Sequence, residues 1–83
     1  MNQSEYRTSN LALAAAINCS SNAKLSHLDF SSQNTVFVFD TSDEPQLPDL
    51  VSAFFSRQLK ADLFTYFESL KYLKTRLYEE HHA

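Results

Sequence analysis

Apolar residues recur at helical spacing in three segments of the chain and at strand spacing in two. The first helical segment follows Thr8 or Ser9, either of which is a suitable N-cap, and it predicts a helix over residues 9–19. Its body, ALAAA, combines strong helix formers with small side chains that allow a sheet or another helix to approach closely. The polar residues after it predict a helix end at which Asn22 takes the left-handed conformation.

Two strands follow the first helix and predict a β-hairpin. Residues 24–30 place alternate side chains on two faces, and residues 35–40 are rich in β-branched and aromatic side chains. The intervening residues 31–34 are turn formers, and Asn34 is the one best suited to a positive φ.

Two further helices are predicted in the second half of the chain. A wide apolar stripe indicates a helix over residues 48–57, and a last helix extends from about Asp62, a plausible cap or first-turn anion, to Glu80. Leu59, between them, could add a short third strand. The order α-β-β-α-α predicts an α+β fold in which an antiparallel hairpin packs with three helices. The residues expected on the core-facing side of the long C-terminal helix are Leu63, Phe67, Leu70, Leu73 and Leu77, with Phe64 and Tyr66 widening that face.

The second strand, Val36 to Phe39, is apolar on both of its faces. Such a strand is normally interior to a layered structure, and a lone hairpin is marginal in water. Three arrangements would cover it: helices divided between the two faces, a third strand at Leu59, or a second copy of the chain. Since each buried side chain contributes about 1.5–3 kcal/mol, we expect a homo-oligomer, most simply a dimer. The protein-interface residues predicted on this basis are Val36 and Val38. Tyr72 is predicted with them because Tyr66, Tyr72 and Tyr78, at spacing six, do not share one face of the last helix, so at least one is exposed or at an interface.

Composition narrows the classes of function. The 83 residues predict one domain, 1–83, with flexible ends at 1–7 and 81–83. Glycine is absent from the sequence, which excludes the glycine-rich loops that cradle phosphates. The net charge of −3 weighs against a dedicated nucleic-acid binder. The single cysteine, a polar first segment and the lack of a long apolar run predict a cytoplasmic protein with no membrane association.

The chain resembles a family of small bacterial and phage proteins known only as a domain of unknown function. The resemblance extends from about Tyr6 to Tyr78 and rests on hydrophobic motifs. It implies a fold and an origin in a phage or mobile element, and no catalytic activity. The motifs that carry it are Tyr6–Thr8, Leu13–Ala15, Val36–Asp40, Leu50–Val51, Phe55 and the segment from Phe67 to Lys74.

Groups that could carry catalysis or bind a metal each have a simpler interpretation. Nucleophilic catalysis would require Cys19 to lie close to a base such as His27, whereas its position at the end of an apolar helix favours a structural role. The histidines of the C-terminal EEHHA lack the spacing of a zinc site. Asp40, Ser42 and Glu44 faintly resemble a calcium loop, but turn formation explains them. We therefore predict no catalytic residue, no metal site and no cofactor.

Basic residues in the last helix are the one pattern that suggests a ligand. Lys71, Lys74 and Arg76, interleaved with tyrosines, could contact a nucleic acid. The alternative is that they form ordinary helical ion pairs, Glu68–Lys71 and Arg76–Glu80. The sequence thus favours a non-enzymatic protein-interaction module that associates with itself or with an unidentified protein. A nucleic-acid-binding accessory protein is the second hypothesis.

Overall fold

A computed structural model describes residues 5–81. Three strands and three helices follow one another in the order β-α-β-β-α-α, which confirms the α+β class and the long C-terminal helix. Their bounds are β1, Glu5–Thr8; α1, Leu11–Ser20; β2, Lys24–Asp29; β3, Val36–Asp40; α2, Leu47–Phe55; and α3, Leu63–His81.

The sheet contains the predicted hairpin and one strand that the hydrophobic pattern did not reveal. β3 pairs antiparallel with β2 on one side and with β1 on the other, so the strand order is β1-β3-β2. The third strand is therefore Glu5–Thr8, and the structure has no strand at Leu59. Residues 5–7, predicted to be flexible, form part of β1, whereas residues 1–4, 82 and 83 lie outside the described residues.

The first helix begins two residues later than predicted. Asn10 is the N-cap, since its side-chain oxygen accepts a hydrogen bond from the amide of Leu13 at 3.1 Å. Thr8, one of the two predicted N-caps, instead accepts a hydrogen bond from the backbone amide of Asn10, the residue that caps the helix. At the other end, the hydroxyl and amide of Ser21 both donate to the carbonyl of Ile17. Because Ser21 closes the helix, a left-handed Asn22 is unnecessary.

The left-handed residue lies elsewhere, at Arg57, whose φ is 64°. It follows α2, where its amide donates to the carbonyl of Phe54 and the amide of Gln58 donates to that of Ala53. This is the hydrogen-bond pattern of a Schellman motif, in which glycine is the usual residue. No other described residue has positive φ, so neither Asn22 nor Asn34 adopts the predicted conformation. The hairpin turn is instead held by Asp29, which accepts from the amide of Ser31.

One hydrophobic core lies between the sheet and the helices. All three helices contribute to it, through Leu13, Leu47 and Leu73, and they meet β3 on the face that carries Phe37 and Phe39. α1 is buried over five successive residues, 13–17, because it packs against both other helices as well as β1. Its alanines permit this close approach, as predicted. The helices are not divided between the two faces of the sheet.

Candidate functional site

The face of the sheet opposite the helices is polar except at its centre. Val38 is 0% exposed although it lies outside the main core cluster. Arg7 and His27 lie directly opposite it on the two edge strands. The residues around it are exposed, so no helix covers this face. They are Glu5, Arg7, Lys24, His27 and Asp40.

A salt bridge between the edge strands covers Val38. The guanidinium of Arg7, on β1, donates to the carboxylate of Asp29, on β2, at 2.9 Å. Because β3 lies between these strands, the Arg7 side chain must cross over it, and its aliphatic part lies on the apolar surface. Glu5 approaches the same guanidinium at 3.6 Å. Hydrogen bonds from Ser31, followed by the interaction with Arg7, lower the pKa of Asp29 to about 2.

This arrangement bears on the residues predicted as a protein interface. Val38 has no exposed surface to offer a partner, and Val36 is half-buried beside it. Tyr72 is 45% exposed, accepts a hydrogen bond from Arg76 at 2.8 Å and lines an open polar depression. The structure does not bring Tyr72 together with the two valines, because it belongs to α3 on the other side of the sheet.

Large apolar side chains are exposed elsewhere, where α2 ends and α3 begins. Leu63 is 85% exposed, Phe64 71%, Phe67 56% and Phe55 62%. Within α3, Phe67 is a neighbour of both Leu63 and Phe64 on the helix surface, at spacings of four and three. The ring of Phe55 meets the ring of Phe54 edge-on, with 5.1 Å between the two ring centres. Phe54 in turn lines a groove that Leu63 also lines. We call Phe55, Leu63, Phe64 and Phe67 the apolar patch.

Two hydrogen bonds to α1 determine which side of α3 is exposed. The hydroxyl of Tyr66 donates to the carbonyl of Ala12 at 3.1 Å, and the buried Ser69 accepts from the side-chain amide of Asn18 at 3.0 Å. Partial burial of the Tyr66 side chain against α1 raises the pKa of its phenol. The core-facing side of the helix is therefore Tyr66, Ser69, Leu70, Leu73 and Leu77.

The expectation that Leu63, Phe64 and Phe67 face the core is thus wrong. Phe67 follows Tyr66 by one residue, a rotation of about 100°, which directs it away from α1. Leu63 and Phe64 belong to the first turn of α3. Asp62 caps this turn as predicted, because its carboxylate accepts from the amide of Thr65 at 2.8 Å, and these hydrogen bonds lower its pKa.

A groove of about 510 Å³ opens beside the apolar patch. It lies between α1, the end of α2 and the start of α3. The connection that follows the left-handed Arg57 forms one of its walls. Its lining includes Ala16, Phe54, Leu59, Ala61, Leu63 and Tyr66.

The predicted basic stripe is only partly assembled. Lys71 and Lys74 are both exposed and lie one turn apart, and the ammonium of Lys71 lies 5.5 Å from the ring centre of Phe67. Arg76 is half-buried and binds Glu80, and this contact raises its pKa. The Arg76–Glu80 pair is one of the two helical ion pairs that the alternative interpretation predicted; the other, Glu68–Lys71, does not form among the described residues. The structure therefore brings together two of the three basic residues.

The candidate catalytic and metal-binding groups have separate partners. The thiol of Cys19 contacts the carbonyl of Ala16 and the hydroxyl of Ser20, whereas His27 contacts Ser26 at 3.0 Å. The carboxylate of Asp40 accepts a hydrogen bond from the amide of Ser42 at 2.9 Å. This hydrogen bond lowers the pKa of Asp40, and it is the contact expected of a turn residue. Within residues 5–81, no three His, Cys, Asp or Glu side chains are grouped as metal ligands would be.

The apolar patch could have been anticipated from one signal in the sequence. In α3 the residues Leu63, Phe64, Tyr66, Phe67, Leu70, Leu73 and Leu77 span about half of the helix circumference, wider than the stripe of about 100° that a surface helix typically buries. A helix at the surface of a small fold buries only one side, so part of such a set must be exposed. The sequence did not indicate which part, because that depends on the contacts with α1.

None of the described helices is both long enough and apolar enough to cross a membrane. No protein-family model matches the chain, and no match was found among the curated proteins or the solved structures. The resemblance to the domain of unknown function therefore remains a prediction.

Proposed function

We propose that this chain is a non-enzymatic, cytoplasmic protein-interaction module that associates with itself through the apolar patch. The observation that supports this proposal is the exposure of four large apolar side chains at one end of the molecule. An origin in a phage or mobile element is proposed with it, on the family resemblance alone.

The grouping of these side chains matters more than their number. Single apolar residues are common at protein surfaces, but a contiguous group is typical of a binding surface. Three of the four are phenylalanines, and aromatic residues are enriched in interfaces. The surrounding charges, Lys60, Asp62, Glu68 and Lys71, form the polar rim that such interfaces usually have.

Solution mass as a function of concentration tests the proposal. We expect light scattering to show a rise from monomer toward dimer between low-micromolar and millimolar protein. Leu63→Gln combined with Phe67→Gln should abolish this rise, because it removes apolar surface without lowering helix propensity. A wild-type protein that stays monomeric throughout would refute self-association. A protein partner of another kind would then have to be sought with the same pair of proteins, wild type and variant.

Nucleic-acid binding is a second candidate, supported by the side of α3 that points away from the core. Lys71 and Lys74 share that side with the exposed rings of Phe67 and Tyr78, and lysines interleaved with aromatic rings suit a single strand. The overall charge of −3 opposes it.

Binding to a short single-stranded DNA at several salt concentrations tests this second candidate. If it holds, affinity should fall steeply with salt, and Lys71→Glu plus Lys74→Glu should remove binding. Lys24→Glu, which changes an exposed lysine on the sheet, is the matched control. Equal binding by all three proteins, or none by the wild type, would exclude the candidate.

A further inference from the structure

The apolar patch and the groove beside it form one surface that has both a projecting ring and a recess. Phe64 is the most exposed aromatic residue of the described chain. Leu63, its neighbour, belongs to the patch and also lines the groove. A surface with both features can be complementary to itself, because a two-fold axis places the projection of each copy against the recess of the other.

The exposed area is sufficient for a dimer. With about 150–250 Å² for each large side chain, the exposed fractions of the four patch residues correspond to roughly 500 Å² per copy. Two patches in contact would bury roughly 1,000 Å², the size at which specific interfaces begin, before any contribution from the rim or the groove.

The charges at the rim also suit pairing of two identical copies. In the sequence, Lys60 and Asp62 precede the three patch residues of α3, and Glu68 and Lys71 follow them. All four are exposed. The exposed Arg57, two residues after Phe55, adds a third positive charge, so the rim carries both signs. A rim with both signs can be matched with itself in a two-fold arrangement, whereas a rim of one sign would repel its copy.

From these three observations we infer that the occupant of the groove is Phe64 of a second copy, in a symmetric dimer in which each groove receives one ring. This inference rests on the proposed function and specifies its geometry. The groove volume of about 510 Å³ is ample for a phenyl ring together with part of the helix that carries it. The ring would contact Phe54, Leu59 and Ala61, of which Ala61 is exposed in the single chain.

A double-mutant cycle on the dimer dissociation constant tests this geometry. Phe64→Ala removes the ring, and Ala61→Trp fills the groove from within the same chain. Each substitution alone should raise the dissociation constant by at least about 30-fold, as expected for a central interface residue. Together they should raise it by clearly less than the product of the two effects, because both remove the same contact.

Both sites are exposed, so folding should be retained, and circular dichroism would verify it. Tyr78→Ala is the control, since Tyr78 is 68% exposed on the same helix, about four turns from Phe64. It should leave the dissociation constant unchanged.

Two outcomes would overturn the inference, and they differ in what they imply for the function. A dimer that tolerates both Phe64→Ala and Ala61→Trp would refute this geometry and leave self-association intact. A wild-type chain that never dimerises would refute the geometry and the proposed self-association together. The apolar patch would then be the site for an amphipathic segment of a different protein.

Discussion

Apolar residues lie outside the main core at two surfaces of the chain, and only one of these surfaces is covered by other side chains. At the centre of the sheet, Val38 is covered by the chain itself, through the Arg7–Asp29 salt bridge that crosses β3. At the start of α3, Leu63 and Phe64 have no such cover. The first surface was expected to need a second copy of the chain, and the second was expected to be buried.

The difference shows that apolar character alone does not identify an interface. Val38 is a small side chain between two strands, and the side chain of Arg7, its register partner, crosses β3 to reach Asp29. The apolar patch consists of four large side chains where α2 ends and α3 begins, and each of them is more than half exposed. What decides between the two surfaces is the presence of long side chains on adjacent elements.

The largest effect should come from placing a charge at the covered surface. Val38→Asp would bury a carboxylate beneath Arg7 with little access to water, and we expect a loss of at least about 4 kcal/mol in the free energy of unfolding. For a domain of this size that is close to complete unfolding. Urea denaturation followed by circular dichroism would measure it.

The matched control at this site is Val38→Ala, which removes two methyl groups without adding charge and should cost about 1–3 kcal/mol. If Val38→Asp were as stable as the wild type, the residue would have to be accessible to water. The comparison between the two surfaces would then fail.

An intermediate effect should appear in the pH dependence of stability. The pKa of Asp29 is about 2 in the folded chain, below its ordinary value of 3.8, because of hydrogen bonds from Ser31 and the contact with Arg7. A lowered folded-state pKa stabilises the fold above about pH 4, and this contribution is lost as the pH falls toward 2. Thermal melting between about pH 6 and pH 2 should therefore show a smaller decline for Asp29→Asn than for the wild type.

Asp43→Asn provides the control for this titration, since Asp43 is an exposed aspartate outside the sheet. The difference from the wild-type profile should be larger for Asp29→Asn than for Asp43→Asn. Identical profiles for Asp29→Asn and the wild type would mean that Ser31 and Arg7 do not stabilise the charged Asp29 carboxylate in the folded chain.

The smallest effect on stability should come from the uncovered surface. Leu63→Gln with Phe67→Gln, measured at concentrations where the chain is monomeric, should change the free energy of unfolding by no more than about 0.5 kcal/mol. The reason is that Leu63 is 85% exposed and Phe67 56% exposed, so little burial within one copy is lost. A loss of several kcal/mol in the monomer would show that these residues belong to the core, and it would remove the basis for the apolar patch.

Local patterns predicted most of the elements. The hairpin followed from strand propensity and turn residues, and the cap at Asp62 followed from its position before an apolar run. Strand β1 was missed because it has only four residues, although Tyr6 and Thr8 alternate in burial with Glu5 and Arg7. A strand this short is stable only because it pairs with the free edge of β3, which lies far from it in the sequence.

The candidate site was predicted less well than the fold. Lys71 and Lys74 lie together as expected, but Arg76 is bound to Glu80. The interface residues chosen at Val36 and Val38 lie on the surface that the chain covers itself. Each of these differences depends on which side chains become neighbours after folding, and helical spacing alone does not specify those neighbours.

By itself, the sequence determined that this is an α+β fold in which the second hairpin strand is apolar on both faces. It also determined that the chain has no glycine-rich phosphate loop and that its last helix has more apolar residues than one side can bury. Only the tertiary structure decided which apolar residues remain exposed. Tyr66 and Ser69 form hydrogen bonds to α1, on the side of α3 that faces it. The strand order β1-β3-β2 places Arg7 and Asp29 on opposite sides of β3, so their salt bridge crosses that strand. The physical reason is that periodicity is a property of one segment, whereas burial is a property of contacts between segments.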